Sequence, residues 1–129
     1  MIRFLTLETV LEQQELQLAL YGGMNGVRER GLLDSALAQP MASFGGQYLH
    51  TDLYQMAAAY LYHLALNHAF IDGNKRIATA ATLLFLEING LMVEASDDEL
   101  VNLVLETAQG NRTKQEIADF FRLHSKEIG

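Results

Sequence analysis

The sequence predicts an all-α fold: a six-helix bundle forming a single domain over residues 1–129, in which a loop dense in polar and charged side chains leads into a buried central helix. Three observations predict it. Apolar residues recur three and four positions apart along the chain, as amphipathic helices require, and no convincing alternating strand of any length interrupts them. Residues that cap helices stand at the ends of these stretches, with Thr, Asp or Ser before them and Gly after. The 129 residues are 50% hydrophobic and 19% charged with one Pro, which suits one compact core and leaves little room for a second.

The first helix is expected from about Leu7 to Leu20, with Thr6 as cap and Leu7, Val10, Leu11, Leu18 and Tyr21 on its apolar face. Gly22-Gly23 stops it. Gln14 falls on that apolar face and therefore needs hydrogen-bond partners. A glycine-punctuated stretch, Gly22 to Gly31, leads to a short helix around Leu32 to Ala38, which Pro40 prevents from continuing. Gly45-Gly46 marks a loop. Asp52 caps a third helix carrying Leu53, Met56, Ala57, Tyr60, Leu61 and Leu64 to near Asn67, with Gln55 where a capping box would have it. From Asn74 to about Asn89 the chain is apolar almost all round, the pattern of a helix surrounded by others. Gly90 ends it. Ser96 with Glu99, and Thr113 with Glu116, form capping boxes for the last two helices, Gly110 separating them.

Composition excludes several functions. There is no Cys, which removes disulfides, thiolate metal sites and Cys nucleophiles and fits a reducing compartment, so the cytoplasm is the expected location. The N-terminal residues reach acidic side chains before any sustained apolar run, unlike a secretory leader. No apolar run is long enough to span a bilayer. A net charge of -7 argues against a nucleic-acid surface, which needs clustered Lys and Arg.

One segment carries chemistry: Asn67-His68-Ala69-Phe70-Ile71-Asp72-Gly73-Asn74-Lys75-Arg76. Gly73-Asn74 opens the central helix, whose first N–H groups lack internal partners and lie at the positive end of its dipole. Such a terminus is an anion site, and Gly73 allows close backbone approach. Between Arg30 and Arg112 the only Lys or Arg residues are Lys75 and Arg76. Both sit where the dipole disfavours cations, so an anionic partner such as phosphate is implied. Asp72 is placed to hold Mg²⁺, which takes one or two carboxylates plus phosphate oxygens and water. His68, with an ordinary pKa of about 6.5, can accept a proton from an attacking hydroxyl. Taken singly, each residue has a simpler reading as cap, turn or solvated charge; their joint order favours function. His50, His63 and His124 lack such company and receive no chemical role.

The order His68-Ala69-Phe70-Ile71-Asp72-Gly73-Asn74-Lys75-Arg76 resembles the Fic motif, His-Pro-Phe-x-Asp/Glu-Gly-Asn-Gly/Lys-Arg. Tyr21-Gly22-Gly23, Gly31-Leu32-Leu33-Asp34-Ser35-Ala36-Leu37, Pro40 and Phe85-Leu86-Glu87-Ile88-Asn89-Gly90 extend the resemblance to the death-on-curing (Doc) branch, the toxin half of toxin-antitoxin pairs. The resemblance implies roles: His68 as general base, Asp72 as Mg²⁺ ligand, Gly73, Asn74, Lys75 and Arg76 as the phosphate cradle, Arg76 acting also in catalysis, and Phe70 as the core anchor of the loop. It implies ATP as donor. Doc relatives phosphorylate a threonine of elongation factor Tu and stop translation, whereas most Fic enzymes transfer AMP.

Two departures bear on that choice. AMP-transferring relatives usually have Gly in place of Lys75 and a second Arg in place of Thr79. A long cation at Lys75 fills space beside the anion hole, and Thr79 cannot clamp a terminal phosphate as Arg would. Phosphorylation is therefore the expected reaction, with AMP transfer, or a catalytically silent antitoxin-binding module, as alternatives. Ala69 for the usual Pro costs loop rigidity but no reacting group. Doc relatives often carry His about where Gln14 stands, so no imidazole role belongs there. The inhibitory Ser/Thr-x-x-x-Glu-Gly/Asn helix of many Fic enzymes is absent from the sequence, and a separate antitoxin chain that folds on binding is the expected inhibitor.

Overall fold

The computed structural model describes residues 1–128. In chain order they form α1 (Leu7–Tyr21), α2 (Arg30–Ala38) running into a 3₁₀ turn (Gln39–Met41), β1 (Ser43–Phe44), β2 (Gln47–Tyr48), α3 (Leu53–Leu66), α4 (Asn74–Ile88), β3 (Leu91–Val93), α5 (Asp97–Ala108), α6 (Lys114–His124) and β4 (Ser125–Glu127). The six expected helices are present.

Local chemistry explains their starts. The side chains of Thr6, Asp52, Ser96 and Thr113 accept from the backbone N–H three residues on, and both expected capping boxes close, Glu99 on Ser96 and Glu116 on Thr113. Gln55 differs slightly: its side chain accepts from Thr51 N–H at 3.0 Å instead of closing on Asp52. The second helix starts at Arg30, earlier than expected, because Gly31 is accommodated inside it.

Two short antiparallel pairs depart from the purely helical expectation. β1 and β2 form a hairpin around Gly45-Gly46, whose φ angles of 60° and 80° give the left-handed pair that a two-residue turn requires. β3 pairs with β4, Leu91 opposite Glu127 and Val93 opposite Ser125. Runs of two or three residues cannot show an alternating pattern, which is why hydrophobic spacing did not find them.

Burial is deepest on α3, where Met56, Ala57, Ala58, Ala59, Tyr60 and Leu61 are all enclosed and α2, α4, α5 and α6 pack around it. Alanines let those neighbours approach closely. α4 lies against α1, α3, β3 and α5, burying Ile77, Ala78, Ala81, Phe85 and Leu86. Its other flank, Ala80, Leu83 and Leu84, stays half-buried along a groove of about 700 Å³ between α1 and α5. The expectation of a helix surrounded on every side therefore describes α3 better than α4. Among the described residues no helix is long and apolar enough to cross a membrane.

Gln14 is enclosed as expected, 3% exposed, and its side-chain amide donates to the carbonyl of Gly26 at 3.1 Å. Tyr21, expected on the apolar face of α1, is instead 68% exposed: the helix end has passed the core, and the ring lies under the guanidinium of Arg76, 5.8 Å from its centroid.

Candidate active site

The chain leaves α3 at Asn67 and turns sharply. His68 is the only non-glycine residue with positive φ (50°) among the described residues, and its imidazole side is exposed. Ala69 and Phe70 then dive into the core, 1% and 2% exposed, so the loop is pinned by an apolar anchor directly after His68. Asn74 fixes it from the other side. Its side-chain amide accepts from Phe70 N–H and donates to the Phe70 carbonyl, each at 3.0 Å.

α4 begins at Asn74 behind Gly73, whose φ of 77° lies in the left-handed region. No side chain caps this terminus and no acidic residue lies in its first turn, in contrast to α1, α5 and α6. Its first N–H groups are available to an anion. The Asn74 side chain is engaged with the loop, so its contribution to a phosphate cradle is its backbone N–H, a narrower part than the sequence suggested. The guanidinium of Arg76 curls back over Gly73: a side chain at Gly73 would meet its Nη2 at 3.3 Å.

His68, Asp72, Gly73, Asn74, Lys75 and Arg76 line a single cavity of about 230 Å³ at this helix terminus. The six residues expected to react or to bind phosphate and metal are therefore in one place, while Phe70 is in the core and Thr79 in the neighbouring groove. Arg76 also lines the larger groove between α1, α4 and α5, so the two depressions meet at its side chain. Thr79 faces that groove, and its hydroxyl donates to the Lys75 carbonyl at 2.9 Å, turned toward its own helix.

Asp72 has an exposed carboxylate that accepts from Gly73 N–H at 2.8 Å on one oxygen and from Met24 N–H at 3.3 Å on the other. Among the described residues no three His, Cys, Asp or Glu side chains gather to cage a metal. One open carboxylate beside an uncapped helix terminus fits Mg²⁺, which completes its shell with phosphate and water, and does not fit a metal held by protein ligands alone.

The loop between α1 and α2, whose glycines predict only a connection between the two helices, packs directly on the motif loop. It runs alongside the motif: Ile71 N–H donates to the Gly26 carbonyl at 3.1 Å, Val27 pairs with Phe70, and the N–H groups of Arg28 and Glu29 donate to the Ala69 carbonyl at 2.7 and 3.1 Å. The Arg28 side chain donates through Nε to the His68 carbonyl at 2.9 Å. Gly23 passes so close that an added Cβ would lie 2.9 Å from Asp72 Oδ2 and 3.2 Å from Arg76 Nη2. The glycines of this loop were the available signal, since Gly22, Gly23 and Gly26 all have positive φ and let the backbone turn and approach the motif. The contact of Arg28 with a residue 40 positions away had no such signal.

Fold and site together define a helical protein in which a histidine, a carboxylate and two cations converge at the uncapped start of one helix. The Fic/DOC family profile matches residues 4–86. Over 78 residues the chain is 49% identical to "Toxin Doc" of Mycolicibacterium smegmatis, a match covering 60% of this chain and 60% of that relative's length. Over 121 residues it is 31% identical to "Protein kinase doc" of Escherichia phage P1, covering 94% of each. The chain belongs to the Fic/Doc family, in agreement with the resemblance drawn from His68 to Arg76.

Proposed function

We propose that this protein is the toxin of a toxin-antitoxin pair, acts in the cytoplasm, and transfers the γ-phosphoryl group of ATP to a Ser or Thr hydroxyl of a translation factor, with elongation factor Tu as the first candidate. The observation that carries the reading is the shared cavity: a base, a lone carboxylate and an uncapped helix terminus with two adjacent cations are the parts a phosphoryl transfer needs.

In this reading His68 accepts the proton of the target hydroxyl as its oxygen bonds to the γ-phosphorus. The bond from that phosphorus to the β–γ bridging oxygen breaks, and ADP leaves. Asn74, Lys75 and Arg76 supply backbone N–H groups, Lys75 and Arg76 add positive charge, and Gly73, whose own N–H is held by Asp72, lets the backbone come close to the phosphate oxygens. Asp72 would hold Mg²⁺, which when bound neutralises phosphate charge. Lys75 occupies the cavity wall and Thr79 turns its hydroxyl to the helix, which supports presentation of the terminal phosphate over the AMP-bearing one. The name of the phage relative, a protein kinase, supports the same choice. A separate antitoxin chain is the inhibitor this reading calls for.

The test uses purified protein, elongation factor Tu, Mg²⁺ and ATP labelled at either the α or the γ position. Label should reach the target from γ-labelled ATP alone, and His68→Ala should abolish it. Asp72→Asn should remove the Mg²⁺ dependence of ATP binding seen by calorimetry. Label from the α position would make the protein an AMP transferase. Growth arrest that survives His68→Ala would identify a binding module in place of an enzyme.

A further inference from the structure

We propose that Arg28 is the positioning residue of the site, holding His68 in the conformation from which it takes its proton; the inference rests on the function proposed above. His68 is strained in a specific sense: its φ of 50° lies in the left-handed region that residues with a Cβ mostly avoid. Such a conformation persists only where its surroundings over-determine it, and such residues cluster at active sites.

Beyond the burial of Ala69 and Phe70, one residue contributes most to holding the peptides that follow His68. Arg28 binds two successive carbonyls on the C-terminal side of His68: its backbone N–H donates to Ala69 at 2.7 Å and its side-chain Nε to His68 itself at 2.9 Å. Glu29 N–H adds a second bond to Ala69. The peptide groups that follow His68 are thereby held against rotation. Ala69 makes the clamp more necessary, because a Pro at that position would stiffen the loop covalently and Ala does not.

Arg28 does not reach the motif by chance of a mobile side chain. Its own loop is fastened underneath by the buried Gln14, which donates to Gly26 O, the same carbonyl that receives Ile71 N–H. A chain of contacts therefore runs from the α1 core through Gly26 and Arg28 to the His68 peptide. The bond uses Nε, and Arg28 is not among the residues lining the motif cavity, so a positioning role can be tested apart from phosphate binding.

The separating variant is Arg28→Gln. Glutamine carries its side-chain nitrogen the same number of bonds from the backbone as Nε of arginine, so it can keep the donor to His68 O while losing the charge. Arg28→Ala should lower kcat by about 10- to 100-fold, the size of effect that a misplaced reacting group produces, with KM for ATP little changed. Arg28→Gln should restore most of the rate. The opposite pattern, with Arg28→Lys active and Arg28→Gln as poor as Ala, would overturn the proposal in favour of a charge role.

A second readout needs no activity. Positive φ places the His68 amide proton close to its own Hα, giving a strong intraresidue Overhauser effect in the wild type. That signal should weaken in Arg28→Ala and return in Arg28→Gln, with thermal melts confirming that each variant is folded. If it is unchanged in Arg28→Ala, the proposal fails even should the protein prove to be a transferase. If it behaves as stated while no transfer is found, the clamp stands and the enzymatic reading fails.

Discussion

Asn74 brackets the peptide groups of Phe70, accepting from its N–H and donating to its carbonyl at 3.0 Å each. A residue at the first position of α4 thus determines where the preceding loop lies. Asn74→Ala leaves both partly buried backbone groups without partners, which should cost about 1–3 kcal/mol of stability in urea unfolding. Asn74→Asp keeps the acceptor and loses the donor, and should fall between the two. Equal stability of all three proteins would show that the loop is held by Phe70 packing alone.

Gly23 and Gly22 give a matched pair of substitutions. Both have positive φ, but a Cβ at Gly23 would press on Asp72 and Arg76 whereas one at Gly22 meets nothing within 4 Å. Each Ala variant should lose about 1–2 kcal/mol from backbone strain. Only Gly23→Ala should also raise the magnesium requirement and slow transfer, by about tenfold or more. Initial rates across a magnesium titration check this, and equal rates for the two variants would remove the approach of Gly23 from the account of the site.

Lys75→Gly tests the donor orientation. Removing the side chain restores space in the cavity that Lys75 lines, and label from α-labelled ATP should then appear on the target while γ-label declines. Loss of both labels would indicate that Lys75 binds phosphate in the phosphorylation reaction itself and is not a steric plug.

His63 is a pH element remote from the motif. Burial, followed by the neighbouring charge of Lys114, lowers its pKa from 6.5 to about 4, and Lys114 Nζ lies 3.0 Å from its Nε2. The folded protein therefore keeps it neutral where the unfolded chain protonates it, so the unfolded state binds more protons between pH 6.5 and about 4. Stability is full above 6.5 and falls as the pH drops through that window. His50 is lowered by the same causes and adds to the slope. Glu99 and Glu116, lowered by their capping bonds, add a further loss only as the pH falls below about 4.5. Thermal melts from neutral pH to about 5 should show a shallower decline for His63→Gln, and a nearly flat one when His50→Gln is added. An unaltered slope in the double variant would place the acid sensitivity elsewhere.

What could be read in the sequence was whatever is local. Thr6, Asp52, Ser96 and Thr113 announce helices because a cap bonds three residues away, and His68 to Arg76 announces a candidate site because the residues lining one cavity sit on one short segment. What escaped depends on distance along the chain. β3 meets β4 across the whole of α5 and α6, and Arg28 meets His68 from the other side of α2 and α3. The centrality of α3 over α4 escaped for a related reason. Both stretches are apolar, and only their neighbours decide which flank stays open, as Ala80, Leu83 and Leu84 do along the groove.

The turn at Asn89-Gly90 gathers both flanks of the fold. The Asn89 side chain binds the backbone of Arg3 through its N–H and its carbonyl, each at 2.8 Å, and Gly90 O receives Ile128 N–H at 2.9 Å. This turn closes α4 at the end opposite Gly73, and 15 residues of helix separate them, about 22 Å. An affinity handle, fluorophore or surface tether attached beside Arg3 or Ile128 will therefore emerge at the pole remote from His68. Immobilised through either flank, the molecule should present the face that carries His68 outward.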